Sequence, residues 1–147
     1  MDQTYNQNYT IEEINQVLGV LTKCVTEKNR VILTGSENRD KNAQFILEYQ
    51  LGTNDIDNIL LRLTAEDFCG TLKSEDEKHQ GQLLYVFVPE ETLNNKNGKS
   101  VKVEIYIKFS IEGSKNTPQT VVISLHELEY PITYAFKNVP ERKEVSK

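Results

Sequence analysis

Cysteine is scarce in this chain, and what there is stands apart. Cys24 and Cys69 lie in unrelated segments with no metal-ligand spacing, which excludes a disulfide-stapled scaffold and leaves reduced thiols as the expectation. Long apolar runs are missing too. No stretch approaches the roughly 20 residues that a membrane helix needs. The opening Met-Asp-Gln-Thr-Tyr-Asn-Gln-Asn lacks the basic and apolar regions of a signal peptide, so the chain is expected to work in the cytoplasm, away from membranes. Positive charge is also short: 17 Lys and Arg stand against 22 Asp and Glu, a net charge of -5. That excludes binding to nucleic acid by bulk attraction, and DNA binding by the chain alone is not expected. A local basic site remains compatible with it.

What is present fits one ordinary domain. The 147 residues can bury a sound core, and the apolar and charged fractions are those of a globular protein. Residues 1–9 read as a disordered polar lead-in, 10–136 as a single domain, and 137–147 as a charged, frayed tail.

Thr10-Ile-Glu-Glu13 is a capping box. Behind it Ile11, Ile14, Val17, Leu18, Leu21 and Val25 recur at helical spacing, predicting a helix that ends near Glu27. Asn29 to Leu33 reads as a short extended piece and Gly35 to Asp40 as a turn. A second helix is predicted over about 39–51, with Ala43, Phe45, Ile46 and Tyr49 inward and Gly52 closing it. A third starts near Asn54 and presents Ile56, Ile59, Leu60 and Leu63. Thr64-Ala-Glu-Asp67 reads as another N-cap and first turn. Residues 73–82 are wholly polar and predict an exposed loop.

The second half is extended. Leu83 to Val88 reads as a buried strand ended by Pro89, and Asn94 to Gly98 as a turn. From Val101 to Glu112 the residues alternate: Val101, Val103, Ile105, Ile107, Phe109 and Ile111 point one way, Tyr106, Lys108 and Ser110 the other. A partner strand places Val121, Ile123 and Leu125 in the core and Ser124 and His126 on the wetter face. Pairing Ile111 with Val121 across the loop 113–119 sets Lys108 opposite Ser124 and Tyr106 opposite His126. Helices first and at least three antiparallel strands afterwards predict an α+β fold with the helices packed on one sheet face.

The chemistry is therefore expected on the other face. A histidine can move protons, a lysine can neutralise charge on a transition state, and a tyrosine hydroxyl can share either task, without metal or cofactor. Cleavage of RNA suits this set because the ribose 2'-hydroxyl supplies the nucleophile. The plainer reading of Tyr106 and Lys108 is that tyrosine favours strands and lysine guards sheet surfaces. Between Lys96 and Lys115 five lysines outnumber two acids, whereas Thr64 to Glu91 is acidic. A basic sheet face with an acidic rim fits modest affinity for single-stranded RNA. Elsewhere, His79 reads as a surface histidine in an acidic loop, Asp67 as a first-turn acid and Cys69 as a small buried residue. Glu127 and Glu129 read as sharing one exposed side.

The order of segments resembles the MqsR family of bacterial toxins, ribonucleases of the RelE-like fold that belong to toxin-antitoxin pairs. The resemblance covers roughly Ile11 to Pro131. It rests on Tyr49-Gln-Leu-Gly52, Ile59-Leu-Leu-Arg-Leu-Thr-Ala-Glu-Asp-Phe68, Gln82-Leu-Leu-Tyr85, Ile105-Tyr-Ile-Lys108, Val122-Ile-Ser-Leu-His-Glu127 and Glu129-Tyr-Pro131. It implies a metal-independent endoribonuclease that cleaves mRNA and is silenced by a cognate antitoxin protein. Family site positions carry over to Gln82 and Tyr106, the family's basic residue near the end of the last strand is matched by His126, and Lys108 matches the strand motif. In the resulting reading Tyr106 and His126 transfer protons, Lys108 stabilises charge, and Gln82 and Ser124 contact RNA, while Gln82 at a strand entrance reads slightly more often as a loop-closing hydrogen-bonder. One position departs: where family members carry Tyr-Lys after Asp-Phe, this chain has Cys69-Gly70, and Lys73 is the residue expected to supply the charge. The reading from a different class is a catalytically silent protein-binding module, a degenerate toxin relative or mobile-element regulator using this sheet face or an edge to hold a partner.

Overall fold

The computed structural model describes residues 4–34, 40–74 and 81–136, and the fold is α+β. The turn at Gly35, most of the polar loop with His79, and the charged tail lie outside the described residues. Helix α1 (Ile11–Thr26) starts where the capping box predicts: Thr10 Oγ1 accepts from the Glu13 amide at 3.1 Å, and Glu13 Oε1 accepts from the Thr10 amide at 2.8 Å. Its buried stripe is Ile14, Leu21, Cys24 and Val25, and Glu27 closes it. A short strand β1 (Arg30–Ile32) follows, then α2 (Asp40–Glu48) and α3 (Thr53–Leu61). Gly52 does not end α2. That helix closes through Gln50 in a left-handed conformation (φ 52°), and Gly52 instead caps the start of α3. Ala43, expected inward, is exposed, while Asn42 takes the buried position beside Phe45.

The segment Ala65–Asp67 is one turn of 3-10 helix that leads at once into β2 (Phe68–Lys73). After it come β3 (Leu83–Phe87), β4 (Glu90–Asn94), β5 (Ser100–Gly113) and β6 (Pro118–Glu127). The six strands form one sheet in the order β1-β6-β5-β3-β2, with β4 also paired to β5. All pairings are antiparallel except that of β1 with β6. β3 and β4 run in series along the same side of β5, joined at Pro89, whose carbonyl accepts from the Ile105 amide at 3.0 Å. Proline has no N–H to give the ladder, so the strand breaks there and resumes.

Helices α1, α2 and α3 contribute to one core, against the sheet face that carries Phe68, Phe87, Ile105, Ile107, Phe109, Val122 and Leu125. Phe87 and Phe109 stack with centroids 5.6 Å apart, and Phe68 leans on Phe87 at 5.3 Å. Each such fully buried ring contributes on the order of 2–3 kcal/mol. Among the described residues no helix is long and apolar enough to cross a membrane.

The β5–β6 hairpin corrects one expectation. Gly113 pairs with Pro118, so the loop is tighter than the sequence reading and Ile111 faces Thr120 rather than Val121. Left alone, that one-residue shift would carry His126 to the other face. A bulge at Ile123 absorbs it: Phe109 pairs with Val122, and Lys108 pairs with Ser124. Thr120, Val122 and Leu125 are therefore the buried residues on the helix side, in place of Val121 and Ile123. Asn42 of α2 secures the bulge, donating from Nδ2 to Leu33 O (2.7 Å) and Ile123 O (2.9 Å) and accepting at Oδ1 from the Leu125 amide (2.8 Å). Its amide stands in for strand pairing where β1 has run out.

The second face is not the wet surface that alternation suggests. Cys69, Val86 and Val88 form a smaller buried cluster there, packed by Tyr5, Leu72, Tyr106, Leu128, Ile132 and Tyr134. The lead-in expected to be disordered is, from Thr4 onward, laid against the sheet: Asn6 pairs with Thr71, and the Tyr9 ring meets Phe68 edge-on at 5.6 Å. Its tyrosines find apolar seats that composition alone does not reveal.

Candidate functional site

Four of the expected site residues come together in two cross-strand pairs on the second face. Tyr106 sits opposite His126 and Lys108 opposite Ser124. The Tyr106 and His126 rings stack with centroids 5.4 Å apart and planes 21° apart. The two pairs are two residues apart on β5, a spacing of about 7 Å. Ser124 is buried, while Tyr106, Lys108 and His126 are each partly exposed. His126 Nδ1 lies 3.0 Å from the Glu127 carbonyl oxygen. A carbonyl only accepts, so Nδ1 carries the proton, and in the neutral ring Nε2 keeps the lone pair of a base.

Tyr106 is placed differently from a proton shuttle. Its hydroxyl lies 3.1 Å from that of Tyr5. Burial first, and the Tyr5 hydrogen bond second, push its pKa well above the ordinary phenol value. It stays protonated, able to donate a hydrogen bond but a poor base. The Tyr106 ring is also the surface on which the His126 imidazole stacks.

Gln82 and Lys73 do not join this cluster. Gln82 Nε2 donates to the Ile111 carbonyl at 3.1 Å, closing the edge of β5 where the β3 ladder ends. Lys73 pairs with Leu83, two positions along from Tyr85, whose ring belongs to the helix-side core. Lys73 therefore stands on the opposite side of the sheet from Lys108. Cys69 is a bulged, fully buried residue of β2, and Gly70 (φ 137°) faces the lead-in. Among the described residues neither Cys24 nor Cys69 forms a disulfide, and both are buried.

Beside His126 a cavity of about 430 Å3 opens between α2 and the end of β6. Phe45 and Tyr49 line it from the helix, with Glu48 and Lys41, and His126, Glu127 and Glu129 from the strand side. Lys41 Nζ holds Glu129 Oε1 at 2.7 Å, and that hydrogen bond lowers the Glu129 pKa. Burial, then Glu127 and Glu48, raise that of Tyr49. Periodicity could not reveal these α2 residues as site neighbours, because the exposed and inner faces of a short helix do not say which strand end they flank. Among the described residues no three His, Cys, Asp or Glu side chains are grouped to hold a metal ion. A buried ion pair, Arg30 with Asp57 (two contacts of 2.7 Å), ties β1 to α3 and also escaped the sequence reading.

No protein-family model, no curated protein and no solved structure matches this chain.

Proposed function

We propose that the chain is an RelE-like, MqsR-type endoribonuclease: a cytoplasmic toxin that cleaves mRNA and is held silent by a cognate antitoxin protein. The observation that carries this reading is the grouping of His126, Tyr106, Lys108 and Ser124 on adjacent strands beside an open cavity. Neutral His126 accepts the ribose 2'-hydroxyl proton at Nε2. The 2'-oxygen attacks phosphorus, and the imidazolium returns the proton to the departing 5'-oxygen. Lys108 stabilises the charge on the phosphoryl oxygens, and the Tyr106 ring offers a flat platform to a base.

The test is inducible expression of the wild type beside His126→Ala and Lys108→Ala, following growth and total mRNA integrity. Growth arrest with mRNA loss is expected from the wild type. His126→Ala should lose about 100-fold or more in cleavage, the ordinary share of a general base. Normal growth with intact mRNA from folded wild-type protein would overturn the enzyme reading. One observation favours the binding-module alternative: the lead-in lies along the β2 edge and sets Tyr5 over the face, against Gly70 where members of the resembled family carry lysine. In that reading the protein holds a partner and all variants grow alike.

A further inference from the structure

We infer that residues 4–8 are a built-in cover for the face carrying Tyr106 and Lys108, and that single-stranded RNA reaches this face by displacing it. The inference rests on the ribonuclease reading for the identity of the ligand; the cover itself stands on geometry.

Gly70 pairs with Val86, and Val86 pairs with Lys108 opposite Ser124, so these four residues form one row across the sheet. A Cβ at Gly70 would lie 2.7 Å from Tyr5 Cβ and 3.0 Å from the Asn6 carbonyl oxygen. The lead-in therefore occupies the end of the row that a polynucleotide crossing Lys108 would enter. The Tyr5 hydroxyl, 3.1 Å from that of Tyr106, occupies the polar end of the stacking platform.

The attachment is firm at one end and light at the other. Tyr9 is fixed by its ring against Phe68 and by its hydroxyl 2.9 Å from Thr71 Oγ1, and Thr10 is locked as the cap of α1. Ahead of that anchor, the backbone pairs with the sheet, among the described residues, at Asn6 alone, through two hydrogen bonds of 2.9 Å with Thr71. Gln7 Nε2 adds contacts to Cys69 O (3.0 Å) and Thr133 O (2.9 Å). A permanent strand would carry a longer ladder. The stretch Thr4 to Tyr9 has no charged residue, so lifting it breaks no ion pair. Tyr9 and Thr10 form the hinge, and the segment before them is the part that moves.

The experiment compares the full chain with a Tyr5→Ala, Gln7→Ala double variant, measuring tetranitromethane nitration of Tyr106 by peptide mass spectrometry. A second variant, Asn6→Pro, removes the amide donated to Thr71 and serves if the double variant does not fold. Nitration of Tyr106 should rise about tenfold in the uncovered variants, the change expected when hydrogen bonds of ordinary strength are lost. An uncleavable 2'-O-methyl oligonucleotide should bind them about tenfold more tightly and protect Tyr106. Equal nitration in full chain and folded variants would overturn the inference, as would stronger oligonucleotide binding by the full chain. If nitration rises but no oligonucleotide binds any of the proteins, the cover stands and the ribonuclease reading falls.

Discussion

Asn42 shows how much one side chain decides. Its amide makes three hydrogen bonds to main-chain groups of Leu33, Ile123 and Leu125 and is almost wholly buried. Asn42→Ala leaves two carbonyls and an amide without partners, so chemical denaturation should show a loss of about 2–3 kcal/mol. A helical asparagine ordinarily faces water or caps an end, and nothing in the sequence marked this one. Tyr106 and His126 were legible because strict alternation along β5 leaves few ways to place them. Gln82 was legible in part: at a strand entrance its amide reads slightly more often as a loop-closing hydrogen-bonder than as an RNA contact, and it donates to the Ile111 carbonyl. Tyr5 escaped for another reason: a tyrosine in a polar stretch has no periodic neighbours to betray its seat.

At the scale of elements, the helices and the long hairpin follow from capping and period, whereas β2 and β4 were hidden. Phe-Cys-Gly-Thr-Leu-Lys carries a bulge and a glycine, which destroys alternation, although glycine inside a strand is itself a mark of close backbone approach. Glu-Glu-Thr-Leu-Asn is short and half exposed, and it pairs only because β5 extends past β3. The tight β5–β6 loop leaves its own trace. It turns Thr120 inward, and among the described residues Thr120 Oγ1 is buried without a hydrogen-bond partner. Thr120→Val keeps the shape and removes the stranded hydroxyl, so the variant should be more stable by about 1 kcal/mol in urea unfolding.

Across the whole molecule, two chain segments are fastened to the second sheet face by phenols. Tyr5 meets Tyr106, and the Tyr134 hydroxyl donates to Val88 O at 2.8 Å. Burial above all pushes the Tyr134 pKa up to about 12 and that of Tyr106 higher still. The fold thus holds the neutral phenols, while the unfolded chain ionises near the ordinary value of about 10. Their stabilisation is fully present below that pH and is lost as pH rises through the folded values. Unfolding midpoints should therefore fall steeply between about pH 10 and 12, and Tyr134→Phe should flatten the drop.

The Gln7 amide that spans the Cys69 and Thr133 carbonyls also has a practical side. It fastens the segment around Gln7 and the segment around Thr133 next to each other, so a label placed on either one sits over the same side of the protein. A fluorophore meant to report on that side without disturbing it belongs on the turn at Asn97 and Gly98, outside both segments.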